Sequence, residues 1–186
     1  MKLLRRRRKP LTLAVLAGSL AYSLAGCSSS NGGPATDGPL TGGSLGSPGG
    51  GFVCLTGHVG QPQTFGDESF TNQSRVTVVL DRVALRRPRH ERLIGSYAVP
   101  GQYLIGTVLW PPRHPVNSPD WKDRGPVHGF RLAPGKSFNM VLGVAATASG
   151  HATSQGMKIY YHDTAGSSYL AVDPFKMLID VTEQGC

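Results

Sequence analysis

The sequence predicts an all-β domain, an immunoglobulin-like β-sandwich, preceded by an export signal and a disordered linker. Three observations predict it. Helical periodicity is absent over any long stretch, whereas short β-rich runs recur between Gly, Pro, Asn and Asp. Several of these runs alternate apolar and polar residues, the mark of one face on a core and one toward water. The turns between them carry Pro and Gly where tight β-turns need them.

The chain opens MKLLRRRRKP, with six of its 19 Lys and Arg in ten residues. A mostly apolar run follows from Leu11 to Leu24, broken at Gly18, Ser19, Tyr22 and Ser23. That is a positive segment and an apolar core of signal-peptide length, whereas a membrane span needs about 20 apolar residues. Leu24-Ala25-Gly26-Cys27 comes next. It resembles the lipobox of bacterial lipoprotein signal peptides at all four positions. The resemblance implies cleavage before Cys27 and diacylglycerol on its sulfur, with the chain held on the outer face of the cell membrane. Two acyl chains make a stable anchor, since each buried methylene adds roughly 0.8 kcal/mol. Arg7-Arg8 also resembles a twin-arginine export signal, and four consecutive arginines leave that route and general secretion both open.

Residues 28–51 read SSSNGGPATDGPLTGGSLGSPGGG. With almost no large apolar side chains, they cannot bury enough surface to offset their ordering entropy, so they are expected to be a flexible tether. Its r.m.s. reach is on the order of 25–30 Å. Gly42-Gly43-Ser44-Leu45-Gly46 matches the nucleophile-elbow pattern of serine hydrolases. An elbow needs a strained strand-to-helix turn and an oxyanion hole, neither of which a Gly-rich linker offers.

Residues 52–186 make one domain, large enough to bury a core. The chain's formal charge of +8 belongs mostly to the signal segment. Without those six cations, 13 Lys and Arg face 11 Asp and Glu, so nucleic-acid binding loses its electrostatic basis. Two cysteines lie at the ends of this domain, Cys54 and Cys186. An extracytoplasmic compartment permits a disulfide, and two cysteines allow one pairing. They lack C-x-x-C spacing, so no thiol redox motif is present.

The expected strands are Val53–His58, Arg75–Leu85, Leu93–Ala98, Tyr103–Leu109, Gly129–Leu132, Ser137–Thr147, Met157–His162, Ser168–Val172 and Lys176–Thr182. In Ser137–Thr147 one face carries Phe138, Met140, Leu142, Val144 and Ala146. Turns are expected at Val99-Pro100-Gly101-Gln102, Ala133-Pro134-Gly135-Lys136 and Asp163-Thr164-Ala165-Gly166. A β-barrel is the alternative closure.

An early Cys, a Trp and Pro loop, GFRLAPGKSFNMVLGVAATASG, KIYYHDTAGSSYLAV and a terminal Cys together resemble a group of secreted actinobacterial lipoproteins. The likeness covers most of residues 52–186, rests on turn glycines and core positions, and implies no activity.

Three constellations could carry chemistry. Trp110 to Pro126 holds five prolines and two tryptophans in a loop too long for a routine hairpin. Trp110, Arg113, His114, Asp120 and Trp121 could stack on a sugar ring or grip a peptide. The plainer reading folds both indoles back onto the sandwich edge. Second, Arg86, Arg87, Arg89 and Arg92 surround Pro88, which marks a hairpin turn. They could meet anionic lipid headgroups or wall polymers, or simply keep an edge soluble. Third, His58, His90, His114, His128, His151 and His162, with Met140 and Met157, suggest copper or zinc handling. No two histidines are closer than eleven residues, and no paired-ligand motif exists.

Catalytic spacing is missing. The acids are scattered, and the adjacent Asp67 and Glu68 would point to opposite faces of a strand. The sequence therefore predicts a non-enzymatic binding or scaffold module at the cell envelope, needing no cofactor or metal. Its expected partners are the membrane through Cys27 and an envelope glycan, anionic polymer or protein, not nucleic acid. Extracytoplasmic metal handling is the alternative.

Overall fold

The computed structural model describes residues 38–44, 51–102, 105–106, 108–113, 119–182 and 185–186. The expected signal peptide, Cys27, His114 and the first part of the tether lie outside them. The strands are β1 (Leu40–Gly42), β2 (Phe52–Thr56), β3 (Pro62–Asn72), β4 (Val78–Leu85), β5 (Glu91–Pro100), β6 (Gly125–Pro126), β7 (Arg131–Leu132), β8 (Ser137–Ala146), β9 (Gly150–Ser154), β10 (Met157–Asp163), β11 (Ser168–Asp173) and β12 (Lys176–Val181). A 3₁₀ turn, Pro119–Asp123, is the single helical piece among the described residues. None of these residues forms a helix long and apolar enough to cross a membrane.

The fold is the expected β-sandwich. One sheet runs β1-β3-β8-β5-β6, a second β11-β10-β4-β7, and a third, shorter sheet β2-β12-β9. The ladders remain three separate sheets, so the barrel alternative is not realised. Every pairing is antiparallel except β2 on β12, and the chain crosses repeatedly between sheets, as from β3 to β4 to β5 and from β7 to β8 to β9 to β10, as in immunoglobulin-like sandwiches. One core joins all three sheets. Phe70, Phe138, Met140 and Leu142 of the first sheet pack with Leu80, Ile159 and Tyr161 of the second and with Met177 and Ile179 of the third.

Most expected strands are present within a few residues of their bounds. Pro62–Asn72 escaped the sequence reading because its buried positions include Thr64, Glu68 and Asn72, which break the apolar alternation. A bulge between Phe65 and Glu68 shifts its register against β8. Of the strand expected over Tyr103–Leu109, Leu109 makes one bridge to Gln63, and Tyr103, Leu104 and Thr107 lie outside the described residues.

All three expected turns carry their glycine in the left-handed region, where the absent Cβ matters: Gly101 at φ 100°, Gly135 at 68° and Gly166 at 98°. Two are closed by hydrogen bonds of 3.1 Å, from Lys136 N–H to Ala133 O and from Gly166 N–H to Asp163 O. Cys54 and Cys186 form the expected disulfide, with Cα atoms 5.9 Å apart.

Two expectations need correction. The tether does not stay clear of the domain as far as residue 51. Leu40–Gly42 pairs with Phe70–Asn72, and Leu40, one of the few large apolar residues in that stretch, is buried. The arginine turn is not a hairpin either. Leu85 pairs with Met157 in one sheet and Glu91 with Ala146 in another, so residues 86–90 arch between sheets.

Candidate functional site

The arch is held from beneath by the turn joining β9 and β10. Arg86 N–H donates to Gly156 O at 2.8 Å, and Gln155 N–H donates to Arg86 O at 2.8 Å. Arg89 and Thr153 exchange both backbone bonds at 2.7 and 2.8 Å, and Thr147 N–H donates to His90 O at 2.7 Å. These five bonds hold Arg87 at φ 48° and His90 at φ 54°, a region that non-glycine residues seldom adopt. The backbone is therefore set in one shape, and the side chains fan outward from it.

Arg87, Arg89 and Arg92 are exposed and Arg86 is half-buried. Arg86 Nη1 reaches Gln155 O at 3.4 Å and Arg87 Nη1 reaches Gln155 Oε1 at 3.2 Å, both uncharged acceptors. Among the described residues none of the four arginines has a carboxylate within ion-pair distance. The arch adjoins the outer face of β4, where the Arg82 guanidinium lies 3.6 Å above the Tyr160 ring. Glu91, next in sequence to the arch, is buried. Burial pushes its carboxyl up to about 7, partly offset by the Ser154 hydroxyl. Below that pH it is mostly neutral and offers the arginines little countercharge.

The tryptophan segment turns its rings inward. Gly95 and Gly143 are opposed partners of β5 and β8, and together they leave a flat slot on the sheet. Trp110 fills it. A Cβ on Gly95 would stand 2.9 Å from the indole, and one on Gly143 would be closer still. Trp110 stacks on Tyr97 with ring centroids 5.1 Å apart, and Trp121 meets Tyr97 edge-on at 5.8 Å. Trp121 is only 7 % exposed, packed with Val99, Ile105 and Val141, and the Arg124 guanidinium covers it at 4.6 Å. Trp121 is thus taken up by the domain's own side chains, while Trp110 stays half-buried with one side on the sheet and Tyr97. Arg113 is exposed and Asp120 half-buried, whereas His114 lies outside the described residues.

Two of the remaining histidines meet at Asp81 and a third lies elsewhere. His162 Nδ1 lies 2.8 Å from Asp81 Oδ1, His128 Nδ1 lies 3.0 Å from Asp81 O, and His151 Nε2 lies 3.6 Å from Asp180. No three His, Cys, Asp or Glu side chains gather as a metal site among the described residues. Met140, Met157 and Met177 are buried and line a narrow cavity with Phe65 and Phe175, where thioethers fill irregular space.

Sequence reasoning missed an acid pair. Glu68 on β3 and Asp173 at the end of β11 are buried, and one oxygen of each carboxyl faces the same point beside Gly43. Desolvation, then the charge of Asp173, pushes the Glu68 carboxyl up to about 8, and desolvation raises Asp173 as well. A bulge between Phe65 and Glu68 interrupts the strand period here, so Asp67 lines the same narrow cavity as Glu68, and the partner of Glu68 comes from another strand. Ser44 also belongs here. Its hydroxyl donates to Glu68 Oε1 at 3.1 Å and accepts from Gly51 N–H at 3.3 Å. It sits in a turn after β1, not on a strand-to-helix elbow. The one sequence signal was two acids at otherwise apolar strand positions.

No family model and no curated protein matches the chain. Among solved structures, the VesB protease of Vibrio cholerae aligns with a TM-score of 0.39 and 10% identity over 76% of this chain and 32% of its own. The secreted serine protease VesC from the same organism gives 0.31 and 11% over 76% and 22%. The chain therefore spans a third or less of either protease. The ASH/PapD-like domain 7 of human CEP192 gives 0.39 and 10% over 91% and 98%. Overlaps this loose say nothing about activity, and the β-sandwich stands on its own strands and sheets.

Proposed function

We propose that this chain is a lipid-anchored extracytoplasmic binding module without a catalytic role, and that the arginine arch between β4 and β5 is the surface that meets an anionic component of the cell envelope. One observation carries the reading. Arg86, Arg87, Arg89 and Arg92 crowd a backbone held by five hydrogen bonds, and none has a carboxylate partner among the described residues. Uncompensated guanidiniums on a preset backbone favour an external anion, because little ordering entropy remains to be lost on binding. The lipobox at Leu24–Cys27 would keep this surface within reach of the membrane and the wall.

The anchor and the arch are tested separately. Metabolic labelling with palmitate should mark the chain, and Cys27→Ser should abolish the label; an unlabelled wild-type chain would remove the anchor. For the arch, the unlipidated Cys27→Ser chain is titrated with vesicles rich in phosphatidylglycerol and, separately, with an anionic wall polymer. Each basic residue near such a surface contributes about 1 kcal/mol. Replacing all four arginines by Gln should weaken binding on the order of 10³-fold at low salt, with a shallower salt dependence. Equal binding by wild type and the fourfold variant would rule the arch out.

A further inference from the structure

We propose that one proton shared between Glu68 and Asp173 latches the segment Gly38–Ser44 onto the sandwich, and that losing it releases this segment and lengthens the linker. Glu68 Oε1 accepts the Ser44 hydroxyl at 3.1 Å, and Asp173 Oδ1 accepts the Phe175 N–H at 2.8 Å. Glu68 Oε2 and Asp173 Oδ2 are buried, neither is well paired with a donor, and the one backbone group directed at both carboxyls is the Ser44 N–H, which belongs to the segment itself. Both oxygens lie within 2.8 Å of the point where a Gly43 Cβ would stand, and acids so close cannot both ionise out of water, so the pair is stable with a proton held between them.

The segment closes over this pair. Gly43, at φ 54°, lies against both carboxyls; a Cβ there would stand 2.8 Å from Asp173 Oδ2 and closer to Glu68 Oε2. Leu40 N–H donates to the Tyr161 hydroxyl at 3.3 Å, and β1 adds three residue pairs to β3. So short a ladder gives little independent hold; the buried Leu40 side chain holds one end of the segment, and the contacts of Gly43 and Ser44 with the acid pair hold the other.

The surroundings supply no countercharge. Around the pair, β3 contributes Asp67, itself raised by burial, while β8, β10 and β12 contribute Met140, Met157 and Met177. At the far end of the segment Tyr161 is raised above the ordinary tyrosine range and stays neutral. Burial and the neighbouring Asp173 hold the Glu68 carboxyl up to about 8, so it is the group beside this segment that ionises in mildly alkaline solution. The sign follows. A folded-state pKa above the unfolded value means the latch holds below it and is lost as pH rises through it.

The latch itself is independent of any lipid. Its consequence for reach rests on the anchor proposed above. With Cys27 held at the membrane, release of Gly38–Ser44 would add this segment to the chain between the anchor and the sandwich.

The test is hydrogen exchange on the full chain, read as protection factors for peptides covering Gly38–Ser44 between pH 6 and pH 9.5. Protection should fall at least tenfold with a midpoint near 8, while peptides from β8 and β10 keep theirs. Glu68→Gln presents an amide donor to Asp173 in place of the proton and should hold the segment across the whole range. Asp173→Asn serves the same purpose should the first variant fail to fold. An infrared difference spectrum at pH 7, wild type minus Glu68→Gln, should show a protonated carboxylic acid. Constant protection in the wild type, an equal loss in the Gln or Asn variant, or no acid band would each overturn the latch. Because none of these readings involves Cys27, failure of the latch and failure of the anchor are told apart.

Discussion

Removing the Cys54–Cys186 disulfide should cost this domain a large part of its stability. The two cysteines are 132 residues apart, so the bridge closes almost the whole described chain into one loop. The chain-entropy relation gives roughly 17 cal/mol/K for such a closure, or roughly 5 kcal/mol at 25 °C. That is an upper figure, because a real denatured chain is already compact and measured bridges usually deliver about 2–4 kcal/mol. The native state should change little, since β2 and β12 remain paired from Phe52–Lys176 to Thr56–Asp180 without the bond. The perturbation is Cys54→Ala with Cys186→Ala, which leaves no free thiol at either end. Urea unfolding followed by tryptophan emission reads it, with Trp110 and Trp121 both held against Tyr97. The expected result is a midpoint lowered by about 2–4 kcal/mol worth of urea at nearly unchanged native emission. A loss under about 0.5 kcal/mol would refute the reasoning, because the denatured state would then gain no freedom from opening the loop.

Other expectations follow from particular contacts. Gly143→Ala drives a methyl into the Trp110 indole, so it should destabilise by about 1–3 kcal/mol and shift tryptophan emission to the red; unchanged emission would mean the slot does not hold the ring. Glu68 and Glu91, raised to about 8 and about 7, should make stability fall as pH climbs from near 4.5 through these values. Asp163 and Asp180, held low by hydrogen bonds, should make it fall again as pH drops below the usual aspartate range. Thermal midpoints should therefore peak in mildly acidic buffer, and a peak above pH 8 would contradict the burial of the two glutamates. Calorimetry of the metal-free chain with copper and zinc should give no binding tighter than micromolar; a tighter site would restore the metal-handling alternative.

Much of this could be read from the sequence because it depends on local pattern. The apolar face Phe138, Met140, Leu142, Val144 and Ala146 and the left-handed glycines at 101, 135 and 166 need only neighbours along the chain to declare themselves. The Cys54–Cys186 bond followed from having one pairing available. Even in β8, though, alternation misled about exposure. Val141 and Ala145 on the second face are as buried as Phe138 and Met140, and the tryptophan segment roofs that face at Val141. Strand β3 stayed hidden because its interior positions hold Thr64, Glu68 and Asn72, whose burial makes sense only once distant partners are present. The tertiary structure alone decided that Gly95 and Gly143 would lie opposite each other as a slot for Trp110. It also decided that the arginine turn would cross between sheets, and that Ser44 and Gly43 would close over Glu68 and Asp173. Periodicity reports which way a side chain points within its own element, while a buried acid pair or an indole slot is created by how separate sheets stack, and the chain pattern holds no record of that register.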